Sequence, residues 1–133
     1  MEALLKELTF RDGLLPVVVA DTQGAVLVLC YMDEEALRLT LRTGLVHVYR
    51  RSQERMMLKG ETSGHTQHVR EVRLDCEGNS LLLIVDQKVG ACHVGFRTCY
   101  YRRFDRDSGA VTVCEERVFD PEAVYGRQGV EAV

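Results

Sequence analysis

The sequence predicts a mainly β fold of the α+β class: one antiparallel, strand-rich domain with a single clear helix. Three observations carry that prediction. Short apolar runs come in pairs, and each pair flanks a polar turn. Only one stretch, 33–42, combines a helical apolar stripe with stop signals at both ends. No internal repeat, low-complexity segment or Pro/Gly/Ser linker divides the 133 residues, so a single domain over 1–133 is expected.

In chain order, residues 17–20 and 25–32 flank Asp21-Thr22-Gln23-Gly24 and read as a β-hairpin. In the stretch 33–42, Asp33 is the expected N-cap, and Glu34 and Glu35 suit the positive end of a helix dipole. Ala36, Leu37 and Leu41 supply the apolar stripe, and Gly44 follows as a C-terminal stop. Residues 45–49 return to strand character. Runs 69–76 and 81–87 flank Glu77-Gly78-Asn79-Ser80, a second hairpin signal, and 97–104 and 111–114 flank Asp105-Arg106-Asp107-Ser108-Gly109, a third. Asp120-Pro121-Glu122 opens a short terminal helix with proline in its first turn. Neighbouring strands joined by tight turns imply mainly antiparallel pairing.

Hydrophobic residues at 46% and charged residues at 28% are ordinary for a soluble globular protein. No apolar run approaches the ~20 residues of a membrane span. The first residues are mixed in charge and lack the apolar stretch of a signal peptide, so a cytoplasmic location with no membrane partner is expected. In that reducing compartment the five cysteines, an odd number, are core residues, metal ligands or nucleophiles rather than a disulfide framework. A net charge of −3 argues against a nucleic-acid partner. Between residues 50 and 73, however, Arg50, Arg51, Arg55, Lys59, Arg70 and Arg73 outnumber Glu54, Glu61 and Glu71. That stretch is either a solvated face or an anion site.

Three segments carry residues capable of chemistry. In Asp75-Cys76-Glu77-Gly78-Asn79 the oxygen donors Asp75, Glu77 and Asn79 suit a hard cation such as Mg²⁺, and the Cys76 thiolate suits zinc. The alternative is a polar turn with one cysteine tucked into the core. In Gly90-Ala91-Cys92-His93-Val94-Gly95-Phe96-Arg97-Thr98-Cys99 two cysteines stand further apart than in a zinc knuckle, and His93 stands beside one of them. In Lys59-Gly60-Glu61-Thr62-Ser63-Gly64-His65 the glycines permit a tight loop whose amides and hydroxyls face an anion, or simply a loop. Cys30 and Cys114 lie in apolar surroundings and read as core. No serine-nucleophile elbow and no zinc-deaminase signature is present.

In order and spacing, these segments resemble the phosphoribosyl-AMP cyclohydrolase family of histidine biosynthesis. The resemblance runs from residue 14 to 103 and includes Leu15-Pro16-Val17-Val18-Val19, Tyr31-Met32-Asp33-Glu34-Glu35-Ala36-Leu37, the Lys59–His65 loop, Leu74-Asp75-Cys76 and Gly90-Ala91-Cys92-His93. It implies a core over 14–103, followed by a terminal strand and tail over 104–133. It implies an intertwined homodimer with one zinc per subunit, held by Cys92 and Cys99 with Cys76 from the other subunit. It also implies Mg²⁺ near Asp75, Glu77 and Asn79, and His93 as catalytic acid/base. The implied substrate is a small phosphorylated nucleotide, met by Arg51, Lys59, Thr62, Ser63 and His65, whose adenine ring opens at the N1–C6 bond. Where the family usually carries aspartates, this chain has Glu77 and Asn79, and it has no tryptophan near Tyr49. Two other readings compete: a dimeric structural-zinc domain that binds a nucleotide or RNA, and a metal-free hydrolase using Cys92 as nucleophile.

Overall fold

A computed structural model describes residues 1–126. The elements run α1 (Glu2–Glu7), β1 (Leu15–Asp21), β2 (Val26–Met32), α2 (Glu34–Thr43), β3 (His47–Arg50), β4 (Arg55–Leu58), β5 (Gln67–Leu74), β6 (Leu81–Gln87), β7 (Arg102–Phe104), β8 (Val111–Val113) and α3 (Pro121–Tyr125). The chain is therefore strand-rich with few helices, as the paired apolar runs predict.

The central sheet has the order β2-β1-β6-β5. β1 turns into β2 at Asp21, whose Oδ1 accepts from the amides of Gln23 at 3.0 Å and Ala25 at 2.9 Å. β5 and β6 form the second antiparallel hairpin, from Gln67 opposite Gln87 to Leu74 opposite Leu81. What joins the hairpins is a parallel pairing of β1 with β6, Val17 opposite Leu81 through Asp21 opposite Val85. The two strands alternate in phase, so Leu15, Val17 and Val19 bury on the same side as Leu81, Leu83 and Val85. Each such side chain contributes roughly 1.5–3 kcal/mol on burial. All other strand pairings among the described residues are antiparallel.

The helix α2 closes this core with Ala36 and Leu37. Its ends are those read from sequence: Asp33 Oδ1 accepts from the Ala36 amide at 2.8 Å, and Gly44 caps the C-terminus at φ +77°. Buried Thr40 ties the helix to the next strand, because its hydroxyl donates to the Ala36 carbonyl at 2.8 Å and accepts from the His47 amide at 2.9 Å. The following strand, β3, pairs with β4 in a separate two-stranded sheet.

Several boundaries differ from expectation. The second hairpin stops at Leu74, leaving Asp75 and Cys76 in the turn. In the third, the strand expected from residue 97 begins at Arg102, because Thr98 and Cys99 are bound to the edge of β2. Cys114 is exposed rather than core, since β7 and β8 form a separate two-stranded ribbon that no other strand of the described residues joins. Phe104, Val111 and Val113 are about as exposed as charged residues, at 62%, 63% and 59%. The terminal helix α3 forms as predicted, with the Asp120 side chain accepting from the Glu122 amide. The end of the predicted tail, 127–133, lies outside the described residues.

The helix α1 has no clear sequence signal and no buried residue. The segment after it docks on the β5–β6 turn, where the Thr9 amide donates to the Gly78 carbonyl at 2.9 Å. Gly78 is buried at φ +69°, and a Cβ there would stand 1.9 Å from the Glu7 carbonyl oxygen. Gly78→Ala is expected to cost about 1–3 kcal/mol, the usual scale of overpacking. A thermal melt checks this, and an unchanged midpoint would mean the N-terminal segment does not rest on the turn.

Candidate active site

Beyond β6 the chain folds back on itself. The Ala91 amide donates to the Arg97 carbonyl at 2.9 Å and the Cys92 amide to the Phe96 carbonyl at 3.1 Å. Gly95, at φ +104°, makes the return; a Cβ on it would stand 2.7 Å from the Phe119 carbonyl. The Cys99 amide then joins the edge of β2, donating to the Leu27 carbonyl at 2.7 Å. This closure brings together two cysteines separated by six residues. Cys92 is buried, Cys99 half-buried, and their thiols hydrogen-bond to each other.

That bond divides their acidities. Chiefly by accepting from Cys99, and against the opposing effect of burial, Cys92 is drawn down to about 6. The amides of Val94 and Phe96 and the charge of Lys59 assist. Cys99 is pushed up by donating to Cys92 and by burial. The pair behaves as one group that loses its first proton easily and holds its second. Cys30 on β2 is also near. It packs partly against the core, as its apolar surroundings suggest, and burial raises it to about 12.

Beside the thiols opens a cavity of about 280 Å³, at the small end of the range for ligand pockets. Its walls carry Cys30, Arg50, Arg51, Lys59 and His93 on an apolar base that includes Val28, Val48 and Met57. Lys59, at the end of β4, reaches across to donate to the Ala91 carbonyl at 3.1 Å. The Arg51 guanidinium lies 4.1 Å from the centre of the Tyr31 ring, a cation–π contact. Arg50, buried behind it, donates to the Met57 sulfur at 3.6 Å. The sequence marks Arg50 only as one cation of the basic stretch and Tyr31 only as part of a segment shared with the family, and neither carries a sign of lining a site.

The remaining predicted residues sit elsewhere. Thr62, Ser63 and His65 do not line this cavity. Ser63 instead accepts from the His65 amide at 3.1 Å, and the His65 ring meets Phe119 edge-on at 4.6 Å. The loop is tight because Gly60 touches the His65 backbone, where a Cβ would stand 2.6 Å away. Cys76 is exposed in the β5–β6 turn, with Asp75, Glu77 and Asn79. Cys76 precedes β6 and Cys92 follows it, so the length of that strand, roughly 20 Å at ~3.3 Å per residue, separates them. Asp75 caps its own turn: Oδ1 accepts from the Asn79 amide at 2.7 Å and Oδ2 from the Ser80 hydroxyl at 3.0 Å. These bonds, the Asn79 amide foremost, hold its carboxyl below the usual range. Among the described residues, no three histidine, cysteine or acidic side chains gather closely enough in one chain to hold a metal ion.

A pair of neighbouring thiols, a histidine and three cations about one cavity on a small α+β domain are the makings of an enzyme. Comparison with known proteins identifies which kind. The family model described as Phosphoribosyl-AMP cyclohydrolase matches residues 28–101. The chain is 45% identical over 127 residues to a phosphoribosyl-AMP cyclohydrolase of Nitratidesulfovibrio vulgaris, covering 94% of this chain and 99% of that protein. Relatives of the same name from Methanocella arvoryzae and Haloquadratum walsbyi are 48% and 50% identical. The first match covers 87% of this chain and 94% of the relative; the second covers 86% and 83%. The chain belongs to the phosphoribosyl-AMP cyclohydrolase family, and it is an enzyme. None of the helices among the described residues is long and apolar enough to cross a membrane.

Proposed function

We propose that this enzyme hydrolyses phosphoribosyl-AMP in the cytoplasm as a step of histidine biosynthesis, opening the adenine ring at the N1–C6 bond with zinc as cofactor. The observation that carries the reading is the Cys92–Cys99 thiol pair set beside a cationic cavity that His93 also lines. The donor set fits zinc, a metal that takes thiolates readily: one proton of the pair leaves easily, and metal binding displaces the other.

In this reading the third ligand is Cys76 of a second copy, because Cys76 of the same chain lies a strand length away. Two features support a homodimer with a shared site. Cys76 is exposed on a turn at the far end of the sheet, and the β7–β8 ribbon leaves Phe104, Val111 and Val113 uncovered. When bound, zinc supplies Lewis acidity that activates water near neutral pH. Lys59 lies close enough to both cysteines to offset part of the negative charge that three thiolates place there.

The rest of the work falls to the chain. The adenine ring enters the apolar part of the cavity, where Tyr31 and the Arg51 guanidinium offer a flat, cationic wall. The substrate's phosphates, too charged for the apolar base, stay toward Arg50, Arg51 and Lys59. His93 takes a proton from the attacking water on an imidazole nitrogen and returns it to the departing N1. Magnesium is assigned a role only with phosphate present. Asp75 spends both carboxylate oxygens on its own turn, so within residues 75–79 the unengaged carboxylate is that of Glu77.

Metal analysis of purified protein with an ultraviolet assay of ring opening tests the reading. About one zinc per chain, the content of a single catalytic site, and steady turnover are expected. Full turnover by zinc-free protein would remove zinc from the mechanism, and no turnover of phosphoribosyl-AMP would remove the substrate.

A further inference from the structure

The loop carrying Cys92 and Cys99 leaves β6 through Val89, which stands at φ +58°. A β-branched residue there is a steric outlier, because its Cβ crowds its own backbone. Val89 is 42% exposed, so burial of its side chain repays little of that strain. Such a conformation persists only where the surroundings enforce it.

The group placed to hold it is Arg97. Its Nη1 donates to the Val89 carbonyl at 3.3 Å, with a longer contact to the Gln87 carbonyl at 3.5 Å, and its Nη2 donates to Asp21 Oδ2 at 3.3 Å. The Asp21 side chain is itself buried, 7% exposed, with its other oxygen held by two turn amides. The Arg97 backbone lies at the opposite end of the same loop. Its carbonyl accepts from Ala91, while the next two residues are pinned to β2 by Thr98 Oγ1 donating to the Val26 carbonyl at 2.8 Å and by the Cys99 amide on Leu27. One residue thus spans the loop, its main chain two positions before Cys99 and its side chain on the residue three before Cys92.

We propose that Arg97, buttressed by Asp21, is a positioning residue that holds the strained Val89 backbone and thereby sets the spacing of Cys92 and Cys99 for a metal. The proposal rests on the zinc reading only for the identity of that metal. A fork-shaped guanidinium suits the task because it serves a carboxylate and carbonyls at once, which the single ammonium of lysine does not.

The test measures zinc affinity by competition with a chromophoric chelator and, separately, the affinity of the metal-free chain for phenylarsine oxide. That reagent binds two adjacent thiols together, with loss of water, and so reports their spacing without zinc. Arg97→Gln is expected to weaken both about tenfold, the lower end of the usual cost of losing a group that orients metal ligands. Arg97→Lys should recover only part. Val89→Gly in the Arg97→Gln background should recover most, because glycine adopts positive φ freely. Asp21→Asn keeps the turn amides satisfied and should show a smaller loss of the same sign, which preserves the test if Arg97→Gln folds poorly. Unchanged arsenical binding in Arg97→Gln and Asp21→Asn would overturn the proposal. So would an equal loss from Arg97→Gln whether or not Val89→Gly is present, since the clamp would then not act through Val89. A wild type that binds the arsenical but no zinc would overturn the metal reading alone, and the arsenical ratios would still decide the clamp.

Discussion

Serine in place of Cys76, Cys92 or Cys99 is expected to remove zinc and turnover together, with activity falling by on the order of 10²-fold or more, whereas Cys30→Ser and Cys114→Ser keep both. A serine hydroxyl matches the thiol in shape but does not ionise near neutral pH, so it gives the metal neither charge nor a soft donor. Mixing experiments make the expectation sharper. If each site takes Cys92 and Cys99 from one chain and Cys76 from another, inactive Cys76→Ser and Cys92→Ser proteins should regain activity when their subunits exchange. Each mixed dimer then holds one site with all three thiols. Zinc retained in full by Cys99→Ser would end the ligand assignment. Absence of recovery after exchange has been verified by mass spectrometry would count against a site shared between chains.

For His93→Ala the expected result is zinc content near wild type with kcat reduced on the order of 10²-fold or more, the usual loss of a general acid/base. His93 lines the cavity next in sequence to buried Cys92, so the proposed roles of proton carrier and metal ligand fall on neighbouring residues. Removal of a proton carrier leaves substrate binding largely intact, so KM should change far less than kcat. The loss should also shrink when small imidazoles are added. A variant that loses zinc would make His93 a ligand and close the metal site, leaving a structural centre in place of a catalytic one.

Local features of the fold were legible because short-range chemistry enforces them. Asp33 before Glu34-Glu35 has its carboxylate within reach of the Ala36 amide whatever the rest of the chain does, and Gly44 can take the left-handed cap at no steric cost. The same holds for the Asp21 turn and for Asp120-Pro121. Elements without such a signature were missed. β4 offers only Met56, Met57 and Leu58 between the charged Arg55 and Lys59, with no alternation and no turn signal, and α1 is six residues with none buried. Cys114 looked like core because Val111 and Val113 flank it; apolar neighbours say that a stretch seeks cover, but not whether the same chain provides it.

By itself the sequence determined the strand-rich class, the three hairpins with their turns, the capped helix, and the three segments able to do chemistry. Each of these depends on residues within a few positions of one another. Tertiary structure decided the parallel seam between β1 and β6, whose residues lie more than sixty positions apart. It also decided that Cys92 and Cys99 meet while Cys76 stands a strand length away, and that Lys59, Arg51 and His93 share one cavity that Thr62, Ser63 and His65 do not line. Spacing along a chain limits which groups can meet only when the intervening backbone is short or regular. Over longer separations the buried pairing of sheets chooses, and that choice is made by the whole core at once.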